Sequence, residues 1–365
     1  MLTKAEFTEL ALRAQADPRP LIEGLFDIMT KQLPGQAPIQ RLQFNRSQRK
    51  VHEKLMAMRQ AGLPPRVCEL KARQFGGSTQ ASGYAASYGL CHPYASAMQI
   101  AHAEDPTIKL FGKIQFMIER LPPELRPRTK VDRRDTLVLD CMPCSDGEVQ
   151  LRSTVSVAYA GGEERWRSVT LQMVHISELA QMGNLAEDVL IGALQAVPPT
   201  PSTMVIIEST ARGVGNVFHE EWQRAESGQS EFAPVFVAWF DIEENWLQPP
   251  AGFEPDAEER EMMRAFGLNE GQLQWRRFKL YTDCPGNKDL FAQEHPSTPA
   301  EAFIMSGRPA FDIERGSVDN RAAYHGARHA DRGAGLCSQS CEPITQRGDV
   351  QPAARDDGEH TVRGR

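Results

Sequence analysis

Two hydrophobic periods alternate along most of this chain. Helical spacing of Val51, Leu55 and Met58 predicts a helix over 46–60, and a short apolar run predicts a strand over 66–70. Further strands are predicted over 97–103, 137–140, 149–159, 168–176, 203–208 and 234–239, and helices from about 78 and over 107–120, 185–195 and 215–226. Such alternation, with continuous apolar strands, is typical of buried parallel strands. The expected fold is therefore α/β, with a mostly parallel central sheet flanked by helices.

The two ends of the chain differ from this central pattern. Residues 1–40 predict a helical lead-in that ends in a turn rich in Pro and Gly. The last 51 residues hold eight Arg, no Lys and seven Gly, with few large apolar residues and no periodicity. Such a composition buries too little apolar surface to become ordered. The predicted organisation is a lead-in over 1–40, a central domain over 41–312 and a disordered or aberrant tail over 313–365; a non-native extension is favoured over a basic nucleic-acid-binding tail.

Composition and charge restrict the class of protein. The chain has 365 residues, with 41 Lys and Arg against 48 Asp and Glu, a net charge of −7. This acidic balance argues against coating nucleic acid by bulk charge, so DNA contact would need a local patch. The candidate patch, for which a solvated charged loop is the alternative, is Arg126, Arg128, Lys130, Arg133 and Arg134.

Cellular location is indicated by what the sequence lacks. No apolar run approaches the roughly 18 residues of a membrane span, and the first residues carry no apolar signal-peptide stretch. Seven cysteines are a sparse, odd set that suits a reducing compartment. A cytoplasmic protein without membrane contact is expected. Free thiols are favoured over a zinc site formed by the Cys141/Cys144 and Cys337/Cys341 pairs.

The most informative segment is a loop between the strand at 66–70 and the helix that starts near 78. Its sequence is Lys71-Ala72-Arg73-Gln74-Phe75-Gly76-Gly77-Ser78-Thr79. A glycine-containing loop before a helix gathers backbone N–H groups and the positive end of the helix dipole around an anion, for which phosphate is well suited. In the usual P-loop a Lys directly precedes the Ser or Thr. Here Gly77 has that position, so the cation must be Lys71 or Arg73. The glycine pair alone is also compatible with an ordinary turn.

Other segments carry groups that a nucleotide hydrolase needs. About 100 residues after the loop, an apolar strand ends in Glu178, the position of a water-activating carboxylate in many NTPases. A second apolar strand ends in Ser209 and Thr210, hydroxyl residues suited to sensing a γ-phosphate. Gln48 precedes the loop, and its amide can make two hydrogen bonds to adenine. A buried strand end and a solvated helix face are the alternatives.

Taken in order, these motifs resemble the large subunit of tailed-bacteriophage terminases, the DNA-packaging motor. The matching segments are Gln48, the 71–79 loop, His175-Ile176-Ser177-Glu178, Glu208-Ser209-Thr210-Ala211 with Gly213, Gly215 and Phe218, and the stretch from Gln293 to Phe311. The resemblance covers about 40–312. It implies a RecA-like P-loop ATPase, an ATP hydrolase that moves double-stranded DNA into a procapsid in the bacterial host cytoplasm.

The resemblance also implies roles for single residues. The implied ATP-binding residues are Gln48, Lys71, Arg73, Gln74, Gly76, Gly77, Ser78 and Thr79. Ser78 and Thr79 would hold Mg²⁺, and Arg73 would stabilise charge on the transferred phosphoryl group. Glu178 would orient or deprotonate the attacking water, and Ser209 and Thr210 would couple hydrolysis to motion. The implied partners are double-stranded DNA, a small terminase subunit, the portal protein of the procapsid and further copies of the chain.

Two departures from the family pattern affect these expectations. Ser177 stands where many members have Asp, so Mg²⁺ would lose a carboxylate partner and rely on water. An RNase H-like nuclease domain would need far more than the residues after Phe311. We therefore expect no endonuclease activity from this chain. The alternative hypothesis is a catalytically inactive prophage remnant that keeps the fold and binds DNA or partner proteins without turnover; Gly77 and Ser177 favour it.

Overall fold

The computed structural model describes residues 1–30, 37–162 and 169–306, with side chains up to 303. Its α-helices are α1 Lys4–Ala16, α2 Arg19–Leu25, α3 Arg46–Gln60, α4 Gly77–Cys91, α5 Glu104–Glu119, α6 Ala186–Ala196, α7 Val217–Glu226, α8 Ala257–Phe266, α9 Glu270–Thr282, α10 Lys288–Glu294 and α11 Pro299–Ser306. The predictions made for the tail over 313–365 and for Cys337 and Cys341 lie outside the described residues.

The strands form a two-stranded sheet and an eight-stranded sheet. They are β1 Asp27–Met29, β2 Ile39–Arg41, β3 Arg66–Lys71, β4 Ser96–Ala101, β5 Arg128–Asp132, β6 Thr136–Cys144, β7 Gly147–Tyr159, β8 Met173–Ser177, β9 Met204–Ser209 and β10 Ala233–Val237. β1 and β2 pair antiparallel. The eight-stranded sheet has the order β10-β3-β9-β8-β4-β7-β6-β5. All neighbours from β10 to β7 are parallel, and β6 and β5 are antiparallel.

Helices cover both faces of the parallel strands, which confirms the expected α/β fold. Successive residues of a strand point to opposite faces, so each strand contributes to two cores. On β9, Ile206 packs in the core that includes α3, α4 and α5, whereas Val205 and Ile207 pack in the core that includes α6 and α7. This explains why β3, β8 and β9 are buried at every position, and why β9 begins with the continuous apolar run Met204–Ile207.

Differences between the predicted and observed elements have local causes. Within the described part of the strand predicted over 168–176, the observed strand is β8, Met173–Ser177; the N–H of Leu171 donates to the carbonyl of Ala196 at the end of α6, and the N–H of Gln172 donates to the carbonyl of Ser96 at the start of β4. β5 was not predicted, since its charged sequence reads as a loop. It is an edge strand, and edge strands commonly carry Lys and Arg that discourage pairing with another chain.

The first residues contain two helices where a helical lead-in was predicted. The Thr3 hydroxyl accepts from the N–H of Glu6 and the Glu6 carboxylate accepts from the N–H of Thr3, a capping box that fixes the start of α1. β1 follows α2 and was not predicted. Across the described ranges, no helix is long and apolar enough to cross a membrane.

Candidate nucleotide-binding site

The predicted site residues meet at the carboxyl edge of the parallel strands. β3 ends at Lys71, β8 ends one residue before Glu178, and β9 ends at Ser209. These strands are neighbours in the order β3-β9-β8. The crevice at this edge is where open α/β sheets bind ligands. Residues more than 100 positions apart in sequence are therefore brought together by the sheet order.

The loop after β3 requires glycine at two positions. Gly76 has φ +90°, and a Cβ on it would lie 2.8 Å from Gln48 Nε2. A Cβ on Gly77 would lie 2.2 Å from the Phe75 ring and 2.7 Å from Glu208 Oε2. Gln74 also has positive φ, at 69°. α4 starts at Gly77 without a side-chain cap, so its first N–H groups are available to an anion.

Gln48 positions this loop through its amide group. Its Oε1 accepts from the N–H of Asn45 at 3.0 Å, and its Nε2 donates to the carbonyl of Gly76 at 2.9 Å. Asn45 in turn donates to the carbonyl of Phe75 at 2.9 Å. Gln48 is buried. In this structure the amide binds the loop that would hold phosphate; adenine contact by Gln48 stays a prediction.

Lys71 lies between two carboxylates. Its Nζ is 2.7 Å from Glu178 Oε1 and 3.7 Å from Glu208 Oε2. Burial by itself would lower the pKa of Lys71, but the charges of Glu208 and Glu178 outweigh it and raise this pKa above its ordinary value. The ammonium group is therefore charged, buried and held at the base of the loop.

The carboxylate of Glu178 is oriented from several sides. Its Oε2 accepts hydrogen bonds from the N–H of Thr210 at 3.2 Å, the hydroxyl of Thr210 at 3.3 Å and the hydroxyl of Ser209 at 3.4 Å. Gln181 Nε2 also donates to it, at 3.3 Å. Glu178 has φ +58°, in the left-handed region. Non-glycine residues held in this region often mark functional sites.

Ser78 and Ser177 both contact a residue to which sequence reasoning gave no role. Glu208 Oε1 accepts from Ser78 Oγ at 2.9 Å and from Ser177 Oγ at 3.0 Å, and His175 Nε2 lies 3.2 Å away. Burial by itself would raise the pKa of Glu208, but the charge of Lys71 and the contacts with His175 and Ser78 outweigh it and lower this pKa below its ordinary value. Glu208 is therefore a charged carboxylate in the interior.

The buried polar side chains continue across the sheet on the face covered by α4. Gln99 Nε2 lies 3.0 Å from His175 Nδ1, and Gln99 Oε1 accepts from Ser82 Oγ at 3.2 Å. With Gln99 as donor, Nδ1 of His175 is the acceptor and the ring hydrogen is on Nε2, which lies 3.2 Å from Glu208 Oε1. Glu69 on β3 pairs in register with Glu208, and burial, with the charge of Glu208, raises the pKa of Glu69 well above its ordinary value.

A pattern in the sequence could have revealed Glu208. It ends the apolar run Met204–Ile207 just as Glu178 follows the apolar strand before it. Lys113 on α5 gave no such signal. Burial lowers the pKa of Lys113 and the charge of Glu208 raises it, so the side chain lies within electrostatic range of the same carboxylate; the net direction is a lowered pKa.

Arg73 and Thr79 lie beside this cluster without contacting its carboxylates in the described contacts. Arg73 Nε is 2.7 Å from Glu294 Oε2 on α10, and the arginine side chain is 58% exposed. An exposed ion pair of this kind is weak, so Arg73 can exchange Glu294 for a ligand at little cost. Thr79 is half-buried in the first turn of α4, with its N–H bonded to the Gly76 carbonyl at 3.1 Å.

The remaining predicted features are the cysteines and the basic patch. Cys141 and Cys144 are free and buried, as expected of structural thiols. No group of three or more His, Cys, Asp or Glu with metal-binding geometry occurs within 1–30, 37–162 and 169–303. The basic patch lies on and around the edge strand β5, where Arg126, Arg128, Lys130, Arg133 and Arg134 are all exposed.

The strand order, the helices on both faces and the glycine loop at the carboxyl edge define an α/β protein with a mostly parallel central sheet and a candidate anion-binding loop. Neither a known family nor a curated protein matches the sequence. Solved structures with a similar fold include the large terminase ATPase domain of Thermus phage P74-26, with 22% identity, a TM-score of 0.41, and 58% of this chain and 85% of that chain covered. The large terminase of bacteriophage HK97 has 14% identity and a TM-score of 0.49, with 81% and 55% covered.

A third similar structure is the large terminase of a thermophilic bacteriophage in complex with ADP. It has 12% identity and a TM-score of 0.38, and the match covers 58% of this chain and 49% of that one. The chain thus spans about half the length of these two large terminases. Similarities at these identities do not assign a function.

Proposed function

We propose that this chain is an ATPase that binds ATP at the loop between β3 and α4. The observation that carries this proposal is the buried Lys71, which is 2.7 Å from Glu178 and 3.7 Å from Glu208 directly below a glycine loop. Phosphoryl transfer depends on positioning and charge neutralisation rather than on covalent chemistry. A cation, an oriented carboxylate and a helix N-terminus are the groups that it needs.

Each of these groups has a defined task. Lys71 leaves Glu178 and binds the phosphates, while Arg73 leaves Glu294 and stabilises the developing charge. Glu178 accepts the proton of the attacking water or orients it, and the donors of Thr210 and Ser209 fix its Oε2. Because Ser209 ends β9 and Thr210 follows it directly, a change at the phosphate would be transmitted to the sheet. We assign coupling to Ser209 and Thr210 on this ground.

Mg²⁺ fits the residues at the start of α4. Ser78 offers a hydroxyl oxygen beside a buried carboxylate, and Mg²⁺ prefers such hard oxygen ligands. Ser78, with Thr79 next to it, would hold the ion. When bound there, Mg²⁺ neutralises charge on the phosphate oxygens.

We propose that ATP hydrolysis drives the packaging of double-stranded phage DNA into a procapsid in the host cytoplasm. The ordered motifs between Gln48 and Phe311 support it, as does the exposed basic patch around β5, which suits contact with DNA phosphates. A small terminase subunit, the portal protein and further copies of this chain are the partners that such a motor requires.

ATP hydrolysis by the full chain tests the proposal. We expect DNA-stimulated turnover that Lys71→Ala abolishes, because the substitution removes the buried cation. Lys109→Ala is the matched control, since Lys109 is exposed on α5. Well-folded protein that shows no turnover with DNA and excess Mg²⁺ would instead support the inactive remnant. Equal losses in both variants would contradict the role of Lys71.

A further inference from the structure

Glu208 is a deeply buried charge beneath the glycine loop, and the reaction described above leaves it without a task. Its side chain is 1% exposed. Oε1 accepts from Ser78 and Ser177. Oε2 receives no hydrogen bond within the described part of the chain, and its cationic neighbour is Lys71 Nζ at 3.7 Å. A buried carboxylate oxygen without a donor is unusual and calls for a ligand or an ion.

The position of this oxygen indicates where the ligand would lie. An ideal Cβ on Gly77 would be 2.7 Å from Oε2, so the oxygen lies directly against the first residue of α4. On the same carboxylate, Oε1 takes the hydroxyl hydrogen of Ser78, and the lone pairs of Ser78 Oγ remain available. One carboxylate therefore orients a hydroxyl ligand and presents an unused oxygen at the same place.

Glu178 does not offer the same opportunity. Its Oε1 binds Lys71 at 2.7 Å, and its Oε2 accepts from Thr210, Ser209 and Gln181. Its side chain is 19% exposed, against 1% for Glu208. Both oxygens of Glu178 therefore have donors, and its side chain is partly exposed. Glu208 is fully buried, and its Oε2 has no hydrogen-bond donor among the described residues.

Lys71 links the two carboxylates to nucleotide binding. When Lys71 turns toward a phosphate, Glu208 loses its nearest positive charge while remaining buried. A buried charge that has lost its partner is strongly unfavourable. Glu208 would then be placed to hold a divalent cation bound together with the nucleotide, and that positive charge would compensate the charge of the buried carboxylate.

We propose that Glu208 is the carboxylate of the Mg²⁺ site. It holds the hydrogen of the Ser78 hydroxyl so that the hydroxyl oxygen faces the ion, and its Oε2 takes the ion or one of its waters as a partner. β9 thereby supplies the acidic group that Ser177 on the neighbouring β8 lacks. This inference rests on the proposed function, because it assumes that a nucleotide binds at the loop.

ADP affinity, measured with Mg²⁺ and with EDTA, tests the inference without requiring hydrolysis. In wild-type protein we expect Mg²⁺ to tighten ADP binding by about 10- to 100-fold. Residues that support metal ligands commonly change metal affinity by about this factor when they are mutated. In Glu208→Gln the ratio should fall to about threefold or less, because the amide keeps the shape and loses the charge. Glu148→Gln, the same change at an exposed carboxylate on β7, is the control and should keep the wild-type ratio.

A second variant separates a lost metal partner from disturbed packing. Ser177 Oγ lies 3.0 Å from Glu208 Oε1, so an acidic side chain at 177 can replace the missing charge. We expect Ser177→Asp, added to Glu208→Gln, to regain most of the Mg²⁺ effect. If the double variant regains none of it, the loss in Glu208→Gln is due to packing and the metal role is overturned.

Other outcomes would overturn the inference, the proposed function or both. A wild-type ratio in folded Glu208→Gln would overturn the inference, as would a wild-type protein whose ADP affinity does not respond to Mg²⁺. Wild-type protein that binds ADP with the full Mg²⁺ effect but never hydrolyses ATP would contradict the proposed function alone. Absence of ADP binding under both conditions would overturn the function and the inference together.

Discussion

The parallel and antiparallel parts of the sheet differ in how deeply they bury polar side chains. In β3, β8 and β9 every residue is buried, including charged ones. In β6 buried positions mostly alternate with half-buried ones, and β5 is almost fully exposed. A polar group on a strand covered on both faces has no water to bind, so it must find a partner within the protein. Chemistry is therefore concentrated in the parallel part, whereas the antiparallel edge presents a solvated surface.

The largest difference between the two parts should be seen in catalysis. We expect Glu178→Gln, at the end of the parallel strands, to lower kcat for ATP hydrolysis by about 10²- to 10⁴-fold, the typical contribution of a general base. Glu148→Gln makes the same chemical change on β7, where Glu148 pairs with Arg128, and should leave kcat unchanged. Steady-state ATPase assays check both, and comparable rates in the two variants would contradict the assigned role.

A smaller loss is expected from the residue that orients Glu178. Thr210→Val removes the hydroxyl donor at 3.3 Å from Oε2, and a hydrogen bond to a charged group contributes about 1.5–3 kcal/mol. The expected decrease in kcat is about tenfold or more, with ADP affinity unchanged. Thr154→Val on β7 is the matched control. An unchanged kcat in Thr210→Val would show that the backbone N–H of Thr210 suffices to hold the carboxylate.

Packing should respond differently to an added methyl group in two helices. Gly77→Ala places a Cβ 2.2 Å from Phe75 and should reduce the free energy of unfolding by about 1–3 kcal/mol. Gly112→Ala in α5 meets nothing within 4 Å, and its better helix propensity should raise that free energy by up to about 1 kcal/mol. Denaturant unfolding measures both. A stable Gly77→Ala protein would mean that the loop has room to move.

The smallest effect concerns DNA at the antiparallel edge. Lys130 is exposed on β5, and Lys130→Ala should reduce the slope of log affinity against log salt by about one, as expected for one lost phosphate contact. ATP hydrolysis without DNA should not change. Lys54→Ala on α3 is the control, because α3 contacts β3 and β10 at the other end of the sheet. Equal slopes for wild type and Lys130→Ala would place the DNA contact elsewhere.

Much of the fold was predictable because periodicity reflects burial. Short, largely apolar segments predicted β3 and β9 nearly to their ends, and helical spacing predicted α3 over its full length. The helices after 250 were not predicted, although the capping boxes of α8 (Asp256 with Glu259) and α9 (Asn269 with Gln272) are local signals that the sequence contains. What the sequence does not show is the packing between distant segments, such as Trp239 stacked on Trp275 at 5.5 Å across 36 residues.

The candidate site was predictable in its parts and not in its arrangement. The loop, Glu178 and Thr210 each stand at the end of a predicted element, where parallel strands present ligand-binding groups. The sequence did not indicate that the Gln48 amide holds the loop, or that Arg73 pairs with Glu294. Those contacts join segments whose separation depends on the order of strands, which no local pattern encodes.

What the sequence by itself determined is the class of fold and the inventory of chemical groups, because hydrophobic period and turn residues act over a few positions. Only the tertiary structure decided which charged and polar groups lie next to one another. Placing β9 between β3 and β8 puts Glu208 within reach of Lys71, Ser78 and Ser177, and leaves one of its oxygens without a donor. The strength of buried charges depends on distance and on exclusion of water, and both are properties of the assembled sheet.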